Sequence, residues 1–407
     1  MDLKLRLQLS TMMFLNYFVW GLWFVTIFTY MTKNLQFSDG EAAFAFSTYA
    51  IAAMISPFFV GMVADRFFST ERLLGVLHLI GAVLLYGVAS VQDYTTFFIL
   101  LLAYNLAFMP TITLTNSLSF HHISDAEKQF PTIRVLGTIG WIATGYVISF
   151  LNAEQSAITI KIAAGASILM GLYSFTLPHT PPKGKGTKAG IREILGLDAL
   201  ALMKDRSFAT VLISSFLICI PLAFYYTLTN VYLEELSVKN SAQLQTWGQV
   251  SETVFLLLMP LMFIRLGLKK VMLIGMGAWV ARYLLFAMGA NPLVMWMVVF
   301  GIVLHGVCYD FFFVAGQIYV DKAAPEKLRG AAQGLITFAT YGAGLFIGTI
   351  LAGMVGDAYT LDVGHNWYMV WMIPAGLAAA VLIGFWITFK EKAKNEIEIP
   401  AQDTASV

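Results

Sequence analysis

Apolar residues run along this chain in long blocks, not in the alternation of a half-buried strand or the single stripe of a surface helix. Each block is about as long as a helix needs to cross the ~30 Å hydrocarbon core of a bilayer. Twelve such spans are read, at 7–31, 41–64, 72–91, 96–118, 132–152, 157–178, 207–233, 245–266, 269–289, 292–320, 329–355 and 366–390. Backbone N–H and C=O groups in hydrocarbon must be bonded within the segment, so each span is expected to be helical. The expected fold class is an all-α membrane protein with twelve transmembrane helices in two six-helix bundles.

The longest polar interruption, residues 179–206, separates six spans from six. It opens on Pro181-Pro182 and continues through a Gly and Lys run from Lys183 to Lys188. In its last part, Leu195 and Leu202 are interspersed with Arg192, Asp198 and Lys204, which fits an amphipathic helix lying on the membrane surface, with a solvated linker as the alternative. The expected units are an N-terminal bundle (1–178), the cytoplasmic linker (179–206), a C-terminal bundle (207–390) and a cytoplasmic tail (391–407). Six plus six with a cytoplasmic link is the layout of the major facilitator fold, whose halves rock about a site near the midplane.

A local pattern agrees with that layout. Gly61-x-x-x-Asp65-Arg66 stands between the second and third spans, and Arg265-x-Gly267-x-Lys269-Lys270 stands at the equivalent place in the second half. Glycine permits a tight turn, and charges at helix ends can pair between halves and part when these separate. Gly61, Asp65 and Arg66 are therefore candidate gating residues, an ordinary solvated turn being the alternative.

Composition narrows the class. With 58% hydrophobic residues and a mean hydropathy of +0.73, the chain is too apolar to be covered by polar surface. A net charge of +1 gives no basic excess to attract nucleic acid. Lys33, Lys161 and Lys239 are the cations of the odd loops; apart from Arg134 and Arg282 inside spans, the other Lys and Arg occupy the even loops and the termini. The positive-inside bias then places both termini in the cytoplasm, and the expected location is a bacterial inner membrane. The first span is too long for a secretory signal and is expected to remain. Cys219 and Cys308 lie within spans and read as small apolar side chains. No metal or cofactor is expected, and the chain is expected to act as a monomer in the lipid bilayer.

Charges inside the spans carry the chemistry. An ionisable group near the bilayer centre costs ~2.5 to 3.5 kcal/mol on insertion scales, so Arg134, Glu252 and Asp310 are expected in a bundle interior or a wet cavity. Arg134, Thr138 and Trp141, spaced by four and three, share one helical face, and so do His305 and Tyr309, with Asp310 adjacent. Gln249 and Glu252 share a third face, and Tyr225, Tyr226, Thr229 and Asn230 follow Pro221 on the seventh span. Aromatic faces and convergent polar groups suit a small polar solute with a ring. Two carboxylates near one guanidinium also suit proton coupling, with Glu252 and Asp310 as the candidate carriers and a static ion pair as the alternative. Arg282 is either the partner of one of these acids or a separate group, and His305 either a packing residue or a ligand contact. His78, His121 and His122 are expected near solvent. Asn105, Pro110, Thr111, Thr113, Thr115 and Asn116 on the fourth span either repair a kink or line the cavity, and Asn16, Tyr17, Trp20 and Trp23 either line its other side or anchor the first span.

Four stretches together carry a resemblance: the run from Phe130-Pro131 through Ile133-Arg134-Val135 and Gly137-Thr138-Ile139-Gly140-Trp141; Leu195-Gly196-Leu197-Asp198-Ala199-Leu200; Gly248-Gln249-x-Ser251-Glu252; and His305-Gly306-x-x-Tyr309-Asp310-Phe311. In these, and from the first span to the last, the chain resembles the nucleoside:proton symporter family of the major facilitator superfamily. The resemblance implies nucleoside import driven by a proton gradient, with a site at Arg134, Thr138, Trp141, Gln249, Glu252, Tyr309 and Asp310. A characterised member carries amides on the seventh helix where this chain has Ala223 and Tyr226, which leaves the preferred base open. A symporter of a sugar or other glycoside and a non-transporting substrate sensor are the competing readings. No nucleophile and base pair, metal cluster or phosphate loop argues for an enzyme.

Overall fold

The computed structural model describes residues 2–59, 68–124, 126–182, 197–325 and 328–390. Among these the chain is helical, the sole bridge joining Thr360 and His365. In order the helices are α1 (Leu3–Phe24), α2 (Asp39–Phe46), α3 (Thr48–Phe59), α4 (Thr70–Val88), α5 (Tyr94–His122), α6 (Ala126–Phe150), α7 (Ile158–Ser174), α8 (Arg206–Glu235), α9 (Ser241–Gly289), α10 (Met295–Val303), α11 (His305–Tyr309), α12 (Ala315–Ala323), α13 (Arg329–Thr337), α14 (Leu345–Ala358) and α15 (Trp367–Thr388). Short π-helical segments, Tyr30–Asn34, Asp310–Val314 and Phe338–Gly344, continue the rods, and Leu197–Lys204 forms a 3-10 helix.

Among the described residues, eight helical runs are long and apolar enough to cross a membrane. The expected second span corresponds to α2 and α3 and runs into residues outside those described; the sixth corresponds to the shorter apolar helix α7. The eighth and ninth fall within α9, which turns at Gly267, where φ 75 and ψ 166 leave the helical region and demand a residue without a Cβ. Helix starts follow local chemistry: Ser38 and Glu41 form a reciprocal capping box on α2, while Asp93, Asp205 and Asn366 accept from first-turn amides of α5, α8 and α15.

Buried polar residues tie the helices together. His78 is 1% exposed and bridges α1 to α7, with Nε2 2.9 Å from Asn16 Oδ1 and Nδ1 3.0 Å from Ser167 Oγ. Its expected place near solvent is thus corrected: the α4 face carrying it turns inward. His121 is exposed, and His122 bonds to Thr180 Oγ1 at 2.8 Å. On α5, Thr111 and Thr115 return their hydroxyls to the carbonyls of Phe108 and Ile112, the local bonding that a helix with an internal proline invites. Cys219 and Cys308 are buried free thiols.

Arg282 is fully buried and has no carboxylate partner among the described residues. Its guanidinium stands 4.1 Å over the Tyr225 ring and 5.0 Å from that of Trp279, and it donates to Gly301 O (2.9 Å) and Ile302 O (3.4 Å). These carbonyls lie at the end of α10, where a cation meets acceptors of the last turn and the negative end of the helix dipole. Removing such a buried donor costs about 1 to 3 kcal/mol per acceptor left bare. Arg282→Met should therefore lower the thermal unfolding midpoint of the purified protein, whereas Arg265→Met, at an exposed position, should leave it nearly unchanged.

Candidate functional site

A cavity of about 380 Å³ lies between the helices before residue 182 and those after 197. That is within the range of roughly 300 to 1,000 Å³ typical of small-molecule sites. From the first half, α1 contributes Tyr17, Trp20 and Phe24, α3 Tyr49, Ala53 and Ser56, α5 Thr113, and α6 Arg134, Thr138 and Trp141. From the second, α8 contributes Tyr226, α9 Gln249 and Glu252, α11 His305 and Tyr309, and the turns around Tyr341 its phenol.

The charged centre is built from two facing helices. Arg134 lies with its guanidinium 4.0 Å over the Tyr17 ring, which leaves the edge N–H groups for other acceptors. Glu252, across the cavity, is close enough for the two charges to interact. His305 Nε2 stands 3.9 Å from Glu252 Oε2, its ring stacked on Tyr225 at 5.1 Å. His305 is thus both packed and cavity-lining. The Tyr309 and Tyr341 hydroxyls bond to each other, closing one wall between α11 and the π segment Phe338–Gly344.

The aromatic wall is continuous from one half to the other. Trp20 meets Trp141 edge to face at 5.2 Å, Phe24 packs on Trp141, and Phe24 meets Tyr226 at 5.8 Å. Such a wall offers ring faces to a planar solute, while Arg134, Thr138, Gln249 and Glu252 offer donors and acceptors. Ala223 does not reach this space; it faces Gly348 of α14.

The structure brings Arg134, Thr138, Trp141, Tyr226, Gln249, Glu252, His305 and Tyr309 to one cavity. Asp310 is not among the lining residues. It is 1% exposed, opens the π segment Asp310–Val314, and its two carboxylate oxygens have no hydrogen-bond partner among the described residues. Gly61, Asp65 and Arg66 lie outside the described residues. Lys269, of the matching loop, stays within its own half and donates to Phe389 O (2.7 Å) and Trp386 O (3.1 Å) at the end of α15. Tyr17 and Trp20 line the cavity, and Trp23 is buried in the core. The lining residues Tyr49, Ser56 and Tyr341 were not singled out from the sequence. The spacing Tyr49, Ala53, Ser56 on one face of α3 was the available signal.

With eight runs fit to cross a membrane among the described residues, and a charged, aromatic cavity between its halves, the protein is a multi-pass membrane transporter. The model of the Nucleoside H+ symporter family matches residues 1–394. The candidate nucleoside transporter YegT of Escherichia coli (strain K12) is 44% identical over 97% of this chain and 96% of its own. The xanthosine permease of the same organism is 33% identical over 95% and 96%. The crystal structure of the nucleoside transporter NupG superposes with a TM-score of 0.88 at 32% identity, covering 96% of this chain and all of that one. The chain belongs to the nucleoside H+ symporter family and is a proton-coupled nucleoside importer, not an enzyme.

Proposed function

We propose that import proceeds by alternating access, through twelve spans arranged as two six-helix bundles of the major facilitator type, residues 1–178 and 207–390. The linker 179–206, the tail 391–407 and both termini then lie in the cytoplasm, and the chain works as a monomer in the bilayer of the inner membrane. Arg134, Thr138, Trp141, Tyr226, Gln249, Glu252, His305 and Tyr309 hold the nucleoside, and Glu252 and Asp310 carry the proton that serves as the coupling ion, without a cofactor. Gly61, Asp65 and Arg66 gate the cytoplasmic side.

The observation that carries this reading is the cavity itself, in which Arg134 from one half and Glu252 from the other face the same space. A substrate bound between them joins the two halves, and protonation of Glu252 changes what Arg134 is paired with. The charge that must be neutralised before the halves part is thus the charge that a proton can remove. Uptake of radiolabelled nucleoside into proteoliposomes under an inward proton gradient tests it. Saturable binding without accumulation would show a sensor, and accumulation of a sugar in preference to nucleosides would overturn the substrate.

The ribose is expected to matter more than the base. Arg134, Thr138, Gln249 and Glu252 are groups that bond hydroxyls, whereas α8 presents Tyr226 and no amide to the cavity. Each lost hydrogen bond to a buried partner costs about 1 to 3 kcal/mol. Deoxy analogues should bind roughly tenfold or more weakly, and an exchange of base should matter less; free bases binding as tightly as nucleosides would contradict this. Calorimetric titration of the purified protein gives the comparison.

A further inference from the structure

Outside the cavity lining, at the face opposite that where α1 begins and α15 ends, a histidine stands between carboxylates of the two halves. His365 lies in the loop between α14 and α15, and its side chain is 7% exposed. Its Nε2 is 2.6 Å from Asp39 Oδ2, at the start of α2, and its Nδ1 is 2.9 Å from Glu235 Oε1, at the end of α8. Both ring nitrogens therefore face carboxylates, one from each half. A neutral imidazole has a single N–H and must leave one carboxylate without its donor; only the imidazolium satisfies both.

The surrounding charges sharpen the requirement. Glu235 also accepts from Lys33 Nζ of the first half, from the His365 amide (3.0 Å) and from Trp367 Nε1 (2.9 Å). Asp357, at the end of α14, accepts from the amides of Asp39 (2.8 Å) and Gly40 (2.9 Å), capping α2 from the other half. Nearby, Glu234 is engaged by Ser241 and by Gln155 of the first half, and Glu41 is held in its own capping box. Carboxylates from α2, α8 and α14 thus converge where, among the described residues, Lys33 and His365 are the cations bonded to them. Burial pulls the imidazole down, but the hydrogen bonds and charges of Asp39 and Glu235 outweigh it and hold His365 at about 9.

We propose that Asp39, Glu235 and His365 form a proton-binding latch that closes only with the imidazole protonated, so that acidity at this face stabilises the state in which the halves meet there. The proposal rests on the alternating-access reading, in which opening this face pulls Asp39 away from Glu235 and His365. Released from the pair, a solvated histidine has its ordinary value of ~6.5. The sign follows: the closed state gains from the raised value, fully below ~6.5, and loses that gain as pH rises through about 9. Across that interval the closing equilibrium weakens by up to ~10-fold per pH unit. This proton enters and leaves from the same face, so it is distinct from the coupling proton and regulates the return of the empty carrier.

The test is a spin-label distance across this face, with labels at Asn34→Cys and Val363→Cys in full-length protein in lipid nanodiscs. Both positions are exposed, whereas Cys219 and Cys308 are buried. Between pH 6 and pH 10, without nucleoside or gradient, the short-distance population should fall by tenfold or more relative to the long one. His365→Gln should favour the long distance and lose that pH dependence, and Glu235→Gln should move the midpoint to lower pH. An unchanged distribution in the unsubstituted protein, or the same titration in His365→Gln, would overturn the latch. Nucleoside binding by the same variants reports that they are folded. Because the distance readout contains no substrate, a failed titration leaves the transport reading standing, and failed proteoliposome uptake leaves the latch standing.

Discussion

Asp310→Asn should abolish proton-driven accumulation of nucleoside while leaving binding nearly intact. Asp310 is 1% exposed, lies outside the cavity lining and has no hydrogen-bond partner among the described residues, so its ionised form is unsupported where it stands. Replacing it with an amide removes a titratable group without touching the ligand. One proton moving inward across 100 mV is worth about 2.3 kcal/mol, which sustains roughly a fiftyfold concentration ratio at one proton per nucleoside. Without the carrier that ratio should collapse towards one, whereas exchange of internal for external nucleoside at equal pH should continue. Glu252→Gln should differ, because Glu252 lines the cavity and faces Arg134 and His305. It should weaken nucleoside binding as well as coupling. Full gradient-driven accumulation in both variants would remove these two acids from the proton path.

The second large effect is steric. Gly145 of α6 lies against α9, where a Cβ would stand 2.3 Å from Thr246 Cγ2 and 2.7 Å from Ala242 O. Gly353 of α14 lies against α2, where a Cβ would stand 2.3 Å from Ala43 Cβ and 2.6 Å from Asp39 O. Both are seams between the halves, at the face of the His365 cluster, and backbone carbonyls cannot swing away as a long side chain can. Overpacking of this kind commonly costs about 1 to 3 kcal/mol. A carrier avoids the cost by leaving this face open. Gly145→Leu and Gly353→Leu should therefore hold the halves apart here, reducing uptake to background while nucleoside binding from that side survives. Gly165→Leu, where an added Cβ meets nothing within 4 Å, is the matching control and should transport normally. Ordinary uptake by both seam variants would show that the halves do not need to meet here.

Part of the cavity was legible because helical spacing is local. Arg134, Thr138 and Trp141 share a face by their intervals of four and three, and all three line the cavity. Glu252 and Gln249 line it for the same reason. Asp310 shows where that rule stops. It follows Tyr309 directly, but neighbouring residues on a helix point in directions about 100° apart, and a π segment begins there. Only packing decided that the phenol of Tyr309 lines the cavity and the carboxylate beside it does not.

Membrane character and transporter class were present in the one-dimensional pattern, since hydrocarbon forces each apolar block to bond its own backbone and makes every charge within it conspicuous; the family was carried by the resemblance in the stretches around Arg134, Glu252 and Asp310. The Gly61-x-x-x-Asp65-Arg66 pattern, the proposed gate, lies outside the described residues. Partners far apart in sequence were not legible. His78 between Asn16 and Ser167, Arg282 over Tyr225, and His365 between Asp39 and Glu235 each depend on helices brought together from distant parts of the chain. A single sequence records which groups are costly to bury, because that cost belongs to the residue; which groups repay it is a property of the packing, and only the tertiary structure decides it.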